Sequence, residues 1–179
     1  GIDTHTFGDA LRNAMRQAPD MILVGEIRDR ETMQQAIAYA ETGHLCVSTL
    51  HAANASQAIK RILNFFPESA HAQLLVDLSL NLQAVVAQRL IPGLQSHRVL
   101  ATEVLLQSAR VSDLIQRGEV NSLRQSLEKT SDMGTHSFDQ SLLDLYRRGL
   151  IDQETALSNA DSRTDLGLRM RLHSSHDPH

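Results

Sequence analysis

Aromatic residues are scarce in this sequence: it has no tryptophan, and Phe, Trp and Tyr together make up 3% of 179 residues. Modules that bind single-stranded nucleic acids or sugars usually expose aromatic side chains for stacking, so this composition disfavours those functions. A formal net charge of −4 also disfavours general attraction to nucleic-acid phosphates. The core is therefore expected to be aliphatic.

Cysteine and long apolar runs are scarce as well. The single cysteine, Cys46, excludes an internal disulfide and a tetracysteine zinc site. No apolar run approaches the roughly 20 residues that cross a bilayer, and no basic and then apolar leader opens the sequence. With 41% hydrophobic and 21% charged residues, the composition is that of a folded protein, which we expect to be cytoplasmic.

The first half of the sequence has the pattern of an α/β protein. The continuous apolar run Met21–Val24 predicts a strand covered on both faces, and a second run, Leu45–Leu50, predicts another. Between them, Asp29 is suited to cap a helix that Gly43 ends. Strand, helix and strand within about 30 residues predict a βαβ unit in a parallel sheet.

Further elements follow from helical periodicity and from Pro and Gly breaks. A helix is predicted after the capping residue Asn54, a long helix over Leu74–Leu90, and a strand over Val99–Leu106. The other predicted helices cover residues 6–17, 111–116, 120–129, 138–147, 154–160 and 164–172, with Ser137 and Gln140 as a capping box. We predict an α/β part over 1–107, a small helical subdomain over 108–173 and a disordered tail over 174–179.

Glu26 is the first candidate for chemistry, because it follows the apolar run by one glycine. Nucleotide hydrolases often place a carboxylate at the carboxyl end of a buried strand, next to Mg²⁺ or its water shell. Mg²⁺ prefers such hard oxygen ligands and retains several waters. An exposed glutamate that simply ends a strand has the same pattern, so this segment alone does not decide between the two interpretations.

Two histidines lie at the two ends of the second predicted strand: His44 precedes it and His51 follows it. His51 is therefore expected at the same sheet edge as Glu26, where an imidazole could hydrogen-bond a terminal phosphate. The two histidines are seven positions apart along a strand, which is too far for both to bind one metal ion. A histidine bonded within a turn is the simpler alternative for either one.

Arg12, Arg16 and Arg28 flank the first strand and could neutralise a phosphate in the same crevice. Solvated surface arginines would have the same pattern. Serine hydrolysis has little support, because no sequence resembling a nucleophile elbow surrounds Ser48 or Ser79. Cys46 lies within an apolar strand and is interpreted as a small core residue.

Together these segments resemble the type II/type IV secretion ATPases. Residues 12–29 resemble the Walker B region of that family and residues 41–52 resemble its His box. Residues 61–67, 87–90 and 134–140 also resemble the pilus retraction motors, and residues 64–68 and 77–82 resemble the PilU branch more than the PilT branch. Residues 109–116 match the retraction signature of these motors only in eroded form.

This resemblance implies a partial RecA-like P-loop core that uses ATP and Mg²⁺ within a homo-hexamer. It implies that Glu26 acts on Mg²⁺ through water, that His51 and His44 are His-box residues, and that Arg12 and Arg28, with Arg16 in reserve, face nucleotide. The implied role is type IV pilus retraction at the cytoplasmic face of the inner membrane. Implied partners are a PilT-like retraction ATPase and the inner-membrane platform protein.

The phosphate-binding motif G-x-x-x-x-G-K-[ST] is absent from these 179 residues. Without its glycine loop and lysine, the β- and γ-phosphates lack their principal cradle. We therefore expect a C-terminal part of a longer motor that is inactive on its own. The alternatives are a non-catalytic oligomerisation or interaction module and a related secretion or pilus assembly ATPase.

Overall fold

The computed structural model describes residues 20–94, 97–129 and 134–174. In chain order, the elements are β1 (Met21–Glu26), α1 (Arg30–Glu41), β2 (Leu45–Thr49), α2 (Ala55–Asn64), α3 (His71–Asn81), β3 (Ala84–Pro92), β4 (Arg98–Leu106), α4 (Ala109–Gln116), α5 (Leu123–Lys129), α6 (Phe138–Arg147), α7 (Gln153–Asn159) and α8 (Arg163–Ser174). The chain divides into two compact units, residues 1–51 and 52–179.

The described part of the first unit is the βαβ unit that the sequence predicts. Strands β1 and β2 pair in parallel, from Met21 opposite Leu45 to Glu26 opposite Thr49. The Asp29 carboxylate accepts a hydrogen bond of 2.8 Å from the backbone N–H of Thr32 at the start of α1, which lowers the pKa of Asp29. This confirms the predicted cap.

The solvent exposure of β1 differs from the prediction. Alternate residues of β1 are buried, including Val24, whereas Met21 and Leu23 are 58% and 71% exposed. The expectation of a strand covered on both faces is therefore wrong for the chain as it stands. A run of consecutive apolar residues cannot show by itself whether both faces of a sheet have packing partners.

The second unit contains an antiparallel pair in place of part of a predicted helix. Helix α3 ends at Asn81, Leu82 is extended, and β3 pairs with β4 along nine residues of each strand. The prediction of one helix over Leu74–Leu90 is therefore wrong in its second half. The β-branched Val85 and Val86 satisfy a helical period locally, but pairing with β4 decides their conformation.

Three helices cover one face of the β3–β4 pair. Ala87, Ile91 and Ala101 from the strands pack with buried residues of α6, α7 and α8: Phe138, Leu142, Leu143, Leu145, Ala156, Leu166 and Met170. Ser137 and Gln140 form the predicted capping box at the start of α6, with bonds of 2.8 and 3.3 Å. The other predicted helices within the described residues are confirmed with small changes at their ends.

A polar cluster around the buried Asp139 ties these helices to the strands. Asp139 is 5% exposed, and its carboxylate accepts hydrogen bonds from the backbone N–H groups of Asp161, at 2.7 Å, and Ser162, at 2.9 Å. Arg89 forms an ion pair of 2.9 Å with Asp161. Its guanidinium also lies 3.7 Å from the centroid of the Phe138 ring.

Glu103 is another buried carboxylate of the second unit, 3% exposed, and it accepts a bond of 2.9 Å from the backbone N–H of Ala55. Loss of solvation, as the largest cause, raises the pKa of Glu103.

The predicted boundary near residue 107 stays a prediction. The predicted helix over 6–17 and most of the predicted tail lie outside the described residues. Within the described part, no helix has the length and apolar character to cross a bilayer.

Candidate active site

The carboxyl ends of β1 and β2 lie side by side, because the two strands are parallel. Glu26 is the last residue of β1 and pairs with Thr49, the last residue of β2. His51 follows β2 by two residues. The ends of parallel strands are where ligands bind in open α/β sheets.

The Glu26 carboxylate contacts a cation and an imidazole. Its Oε2 accepts from Nε of Arg28 at 2.7 Å and from Nη2 of Arg28 at 2.6 Å. Its Oε1 lies 3.1 Å from Nε2 of His51. The expectation that Glu26 and His51 meet at one edge of the sheet is therefore confirmed, and Arg28 is part of the same cluster.

The two partners of Glu26 are open to solvent. The side chains of Arg28 and His51 are 76% and 81% exposed, whereas the side chain of Glu26 is 23% exposed. Exposed ion pairs contribute little to stability, so these partners can move to a ligand at small cost. The hydrogen bond and the charge of Glu26 raise the pKa of Arg28, which therefore remains a cation.

The contact with Glu26 leaves His51 able to take a second partner. Nε2 of His51 faces Oε1 of Glu26 at 3.1 Å, and the side chain is 81% exposed, so the other ring nitrogen, Nδ1, is accessible to a ligand. An imidazole nitrogen that carries a hydrogen donates to acceptors such as phosphate oxygens. His51 can thus contact Glu26 with one nitrogen and bind a phosphate oxygen with the other.

A strand irregularity directs Glu26 towards this cluster. The pairing of β1 with β2 shifts register between Val24 and Glu26, so Gly25 lies at a bulge. The hydroxyl of Thr49 donates a bond of 2.7 Å to the carbonyl of Gly25. The carbonyl of Thr49 accepts from the N–H of Ile27 at 3.0 Å. Sequence reasoning missed Thr49, although a β-branched polar residue at the strand end, two before His51, was a usable signal.

The structure does not bring His44 to Glu26. His44 precedes β2, and its ring Nδ1 lies 3.0 Å from the hydroxyl of Thr42. Its backbone N–H donates to the carbonyl of Tyr39 at 3.1 Å. The five residues of β2 span about 16 Å at about 3.3 Å per residue, so the two histidines lie at opposite ends. Arg12 and Arg16 lie outside the described residues.

Among the described residues, no group of three or more His, Cys, Asp and Glu side chains could hold a metal ion. Glu26 offers a single carboxylate, which suits Mg²⁺ held mainly by waters and substrate phosphates and does not suit an all-protein cage. Burial raises the pKa of the Cys46 thiol, which opposes thiolate formation.

The parallel βαβ unit, its acidic strand end and the helices that follow define an α/β protein with a partial RecA-like P-loop core and a small helical part. The crystal structure of the pilus retraction motor PilT with bound ADP superposes with a TM-score of 0.82 at 38% identity, over 94% of this chain and 47% of that one. The Legionella pneumophila ATPase DotB superposes with a TM-score of 0.73 at 26% identity, over 87% and 42%.

Residues 3–145 match the family model of the type II/IV secretion system proteins, and the chain belongs to that family. The type IV pilus ATPase PilU of Pseudomonas aeruginosa is 50% identical over 99% of this chain and 47% of its own length. The type IV pilus retraction ATPase PilT of the same organism is 38% identical over 88% and 46%. The family resemblance seen in the sequence is confirmed, and the chain spans about half the length of these relatives.

Proposed function

We propose that this chain is the C-terminal part of an ATP-hydrolysing motor that powers type IV pilus retraction. The observation that carries the proposal is the contact of the Glu26 carboxylate with Arg28 and His51 at one sheet edge. A carboxylate, a cation and an imidazole together can hold a proton, orient water and bind phosphate oxygens. The similarity to PilU and PilT supports the assignment to pili.

Glu26 is proposed to orient the waters around a Mg²⁺ ion bound with ATP. When bound, Mg²⁺ neutralises charge on the β- and γ-phosphates during transfer. Both Glu26 oxygens have protein partners in this structure, so Glu26 fits a contact through water. His51 is proposed to bind the terminal phosphate and to respond to its loss.

Arg28 is proposed to exchange Glu26 for a phosphate oxygen, since its side chain is 76% exposed and permanently charged. Arg12 and Arg16 keep their predicted roles beside nucleotide. His44 lies at the far end of β2 and keeps its predicted role as a His-box residue. In this proposal it acts at a place separate from the Glu26 cluster.

The 179 residues lack the phosphate-binding motif, and we propose that they hydrolyse no ATP alone. The preceding half of a longer protein is proposed to supply that loop. Assembly as a homo-hexamer, cooperation with a PilT-like retraction ATPase, docking on the inner-membrane platform protein and a position at the cytoplasmic face of that membrane belong to the same proposal.

The test is ATP turnover by the full-length protein that contains this segment. Glu26→Gln keeps size and removes charge, and we expect kcat to fall by a factor of about 100 or more, with ring assembly retained. Glu31→Gln, a change of the same kind in the first turn of α1, is the control and should match the wild type. Wild-type turnover in Glu26→Gln would show that Glu26 has no part in the reaction. A wild-type full-length protein without any ATP turnover would contradict the proposal that it is an ATPase.

A further inference from the structure

We propose that Thr49 is a positioning residue for Glu26, an inference that rests on the proposed function. The hydroxyl of Thr49 donates to the carbonyl of Gly25 at 2.7 Å, across the two strands. Gly25 directly precedes Glu26 and lies at the register shift of β1. Thr49 therefore acts on the peptide group that leads into the proposed catalytic carboxylate.

The peptide unit between Gly25 and Glu26 is planar, so the direction of the Gly25 carbonyl also fixes the orientation of the Glu26 N–H. Glycine has more accessible backbone conformations than any other residue, and at a bulge the ladder does not restrain it fully. A bond from Thr49 supplies a restraint that Gly25 cannot supply itself.

Thr49 holds the other side of Glu26 through its own backbone. Its carbonyl accepts a bond of 3.0 Å from the N–H of Ile27. One residue of β2 thus binds the residues before and after Glu26. The residue between these two bonds is Glu26, whose carboxylate contacts Arg28 through Oε2 and His51 through Oε1.

A displacement of Glu26 at the bulge would lengthen the proposed contact between its carboxylate and Mg²⁺-bound water. Such a displacement matters because a misplacement of about 1 Å can lower a rate by a factor of about 100. Thr49 itself needs no contact with nucleotide for this effect. The expected signature is a lower kcat at unchanged nucleotide affinity, which general loss of folding would not produce.

The experiment compares Thr49→Val and Thr49→Ser in the full-length protein. Valine keeps the branched shape and removes the hydroxyl, and we expect kcat to fall about tenfold or more with ATP affinity within about twofold of wild type. Serine restores the hydroxyl and should recover most of the rate. Ser56→Ala is the matched control, because the Ser56 hydroxyl donates a similar bond of 2.9 Å to the carbonyl of Val120, and its kcat should equal that of the wild type.

The Glu26→Gln background separates positioning from independent action. If Thr49 acts through Glu26, adding Thr49→Val there should lower the residual rate by less than about twofold. Wild-type kcat in an assembled Thr49→Val ring, failure of serine to rescue, or a full further loss in the Glu26→Gln background would each overturn the proposal. If Thr49→Val does not assemble, Thr49→Ala against Thr49→Ser makes the same comparison. An inactive wild type would instead refute the proposed function.

Discussion

Two charged clusters among the described residues, one around Glu26 and one around Asp139, lie in opposite environments. Glu26 contacts two side chains that are more than three-quarters exposed, whereas Asp139, 5% exposed, accepts bonds from two backbone N–H groups. A buried charge with fixed partners holds elements together, and its loss leaves those partners unsatisfied. An exposed charge with movable partners is suited to exchange them for a ligand. The first cluster should therefore govern turnover and the second should govern stability.

The largest effect is expected in the buried cluster. Asp139→Ala removes the acceptor of the Asp161 and Ser162 N–H groups, and we expect the free energy of unfolding to fall by about 3 kcal/mol. Urea denaturation of the chain, followed by circular dichroism, measures this change. Asp144→Ala on the same helix breaks an exposed pair with Arg148 and should cost under about 0.5 kcal/mol. Equal losses in both variants would contradict the contrast.

The next effect belongs to the exposed cluster. His51→Ala leaves Glu26 and Arg28 in place, and we expect turnover in the full-length protein to fall about tenfold with nucleotide affinity largely retained. Steady-state kinetics and equilibrium nucleotide binding together check this expectation. A drop in affinity that matches the drop in rate would contradict the proposed sensing role.

Glu103 gives a pH-dependent version of the comparison. Its pKa is raised on folding, so its contribution to stability is present below the ordinary value of 4.5 and is lost as the pH rises through the folded value. Glu103→Gln removes this titration and keeps an oxygen for the Ala55 N–H. We expect the stability of the variant relative to wild type to increase from acid to neutral pH in urea denaturation. A difference that does not vary with pH would contradict the assignment.

The smallest effect on stability is expected at Arg28. Its side chain is 76% exposed, so Arg28→Gln should leave the urea midpoint of the chain unchanged within error while it lowers turnover of the full-length protein. Measuring both the urea midpoint and the turnover of this variant distinguishes a cluster that governs turnover from one that governs stability. A clear shift in the midpoint would show that the Glu26 cluster also has a structural role.

Local signals in the sequence were sufficient for most helices and for the βαβ unit. The caps at Asp29 and Asn54 and the box at Ser137 depend on a few neighbouring residues, and all three are present. The error at Val85 and Val86 has a non-local cause, since their partners Leu105 and Val104 lie about twenty positions later in the sequence. Pairing of that kind competes with helical periodicity and leaves little local trace.

For the candidate site, the sequence was sufficient to predict which residues lie at the same ends of the two strands. Parallel pairing places Glu26 and His51 at one edge without further information. The register shift at Gly25 and the bond from Thr49 were not predictable, because a bulge depends on how two strands align. The direct bonds of Arg28 to Glu26 also required side-chain positions, although two residues of separation made them sterically accessible.

The most direct measurement is a structure of the full-length protein with Mg²⁺ and a non-hydrolysable ATP analogue. We expect the terminal phosphate within hydrogen-bond distance of His51 and a Mg²⁺-bound water within hydrogen-bond distance of Glu26. A nucleotide whose phosphates lie at the His44 end of β2, or away from this sheet edge altogether, would contradict the account.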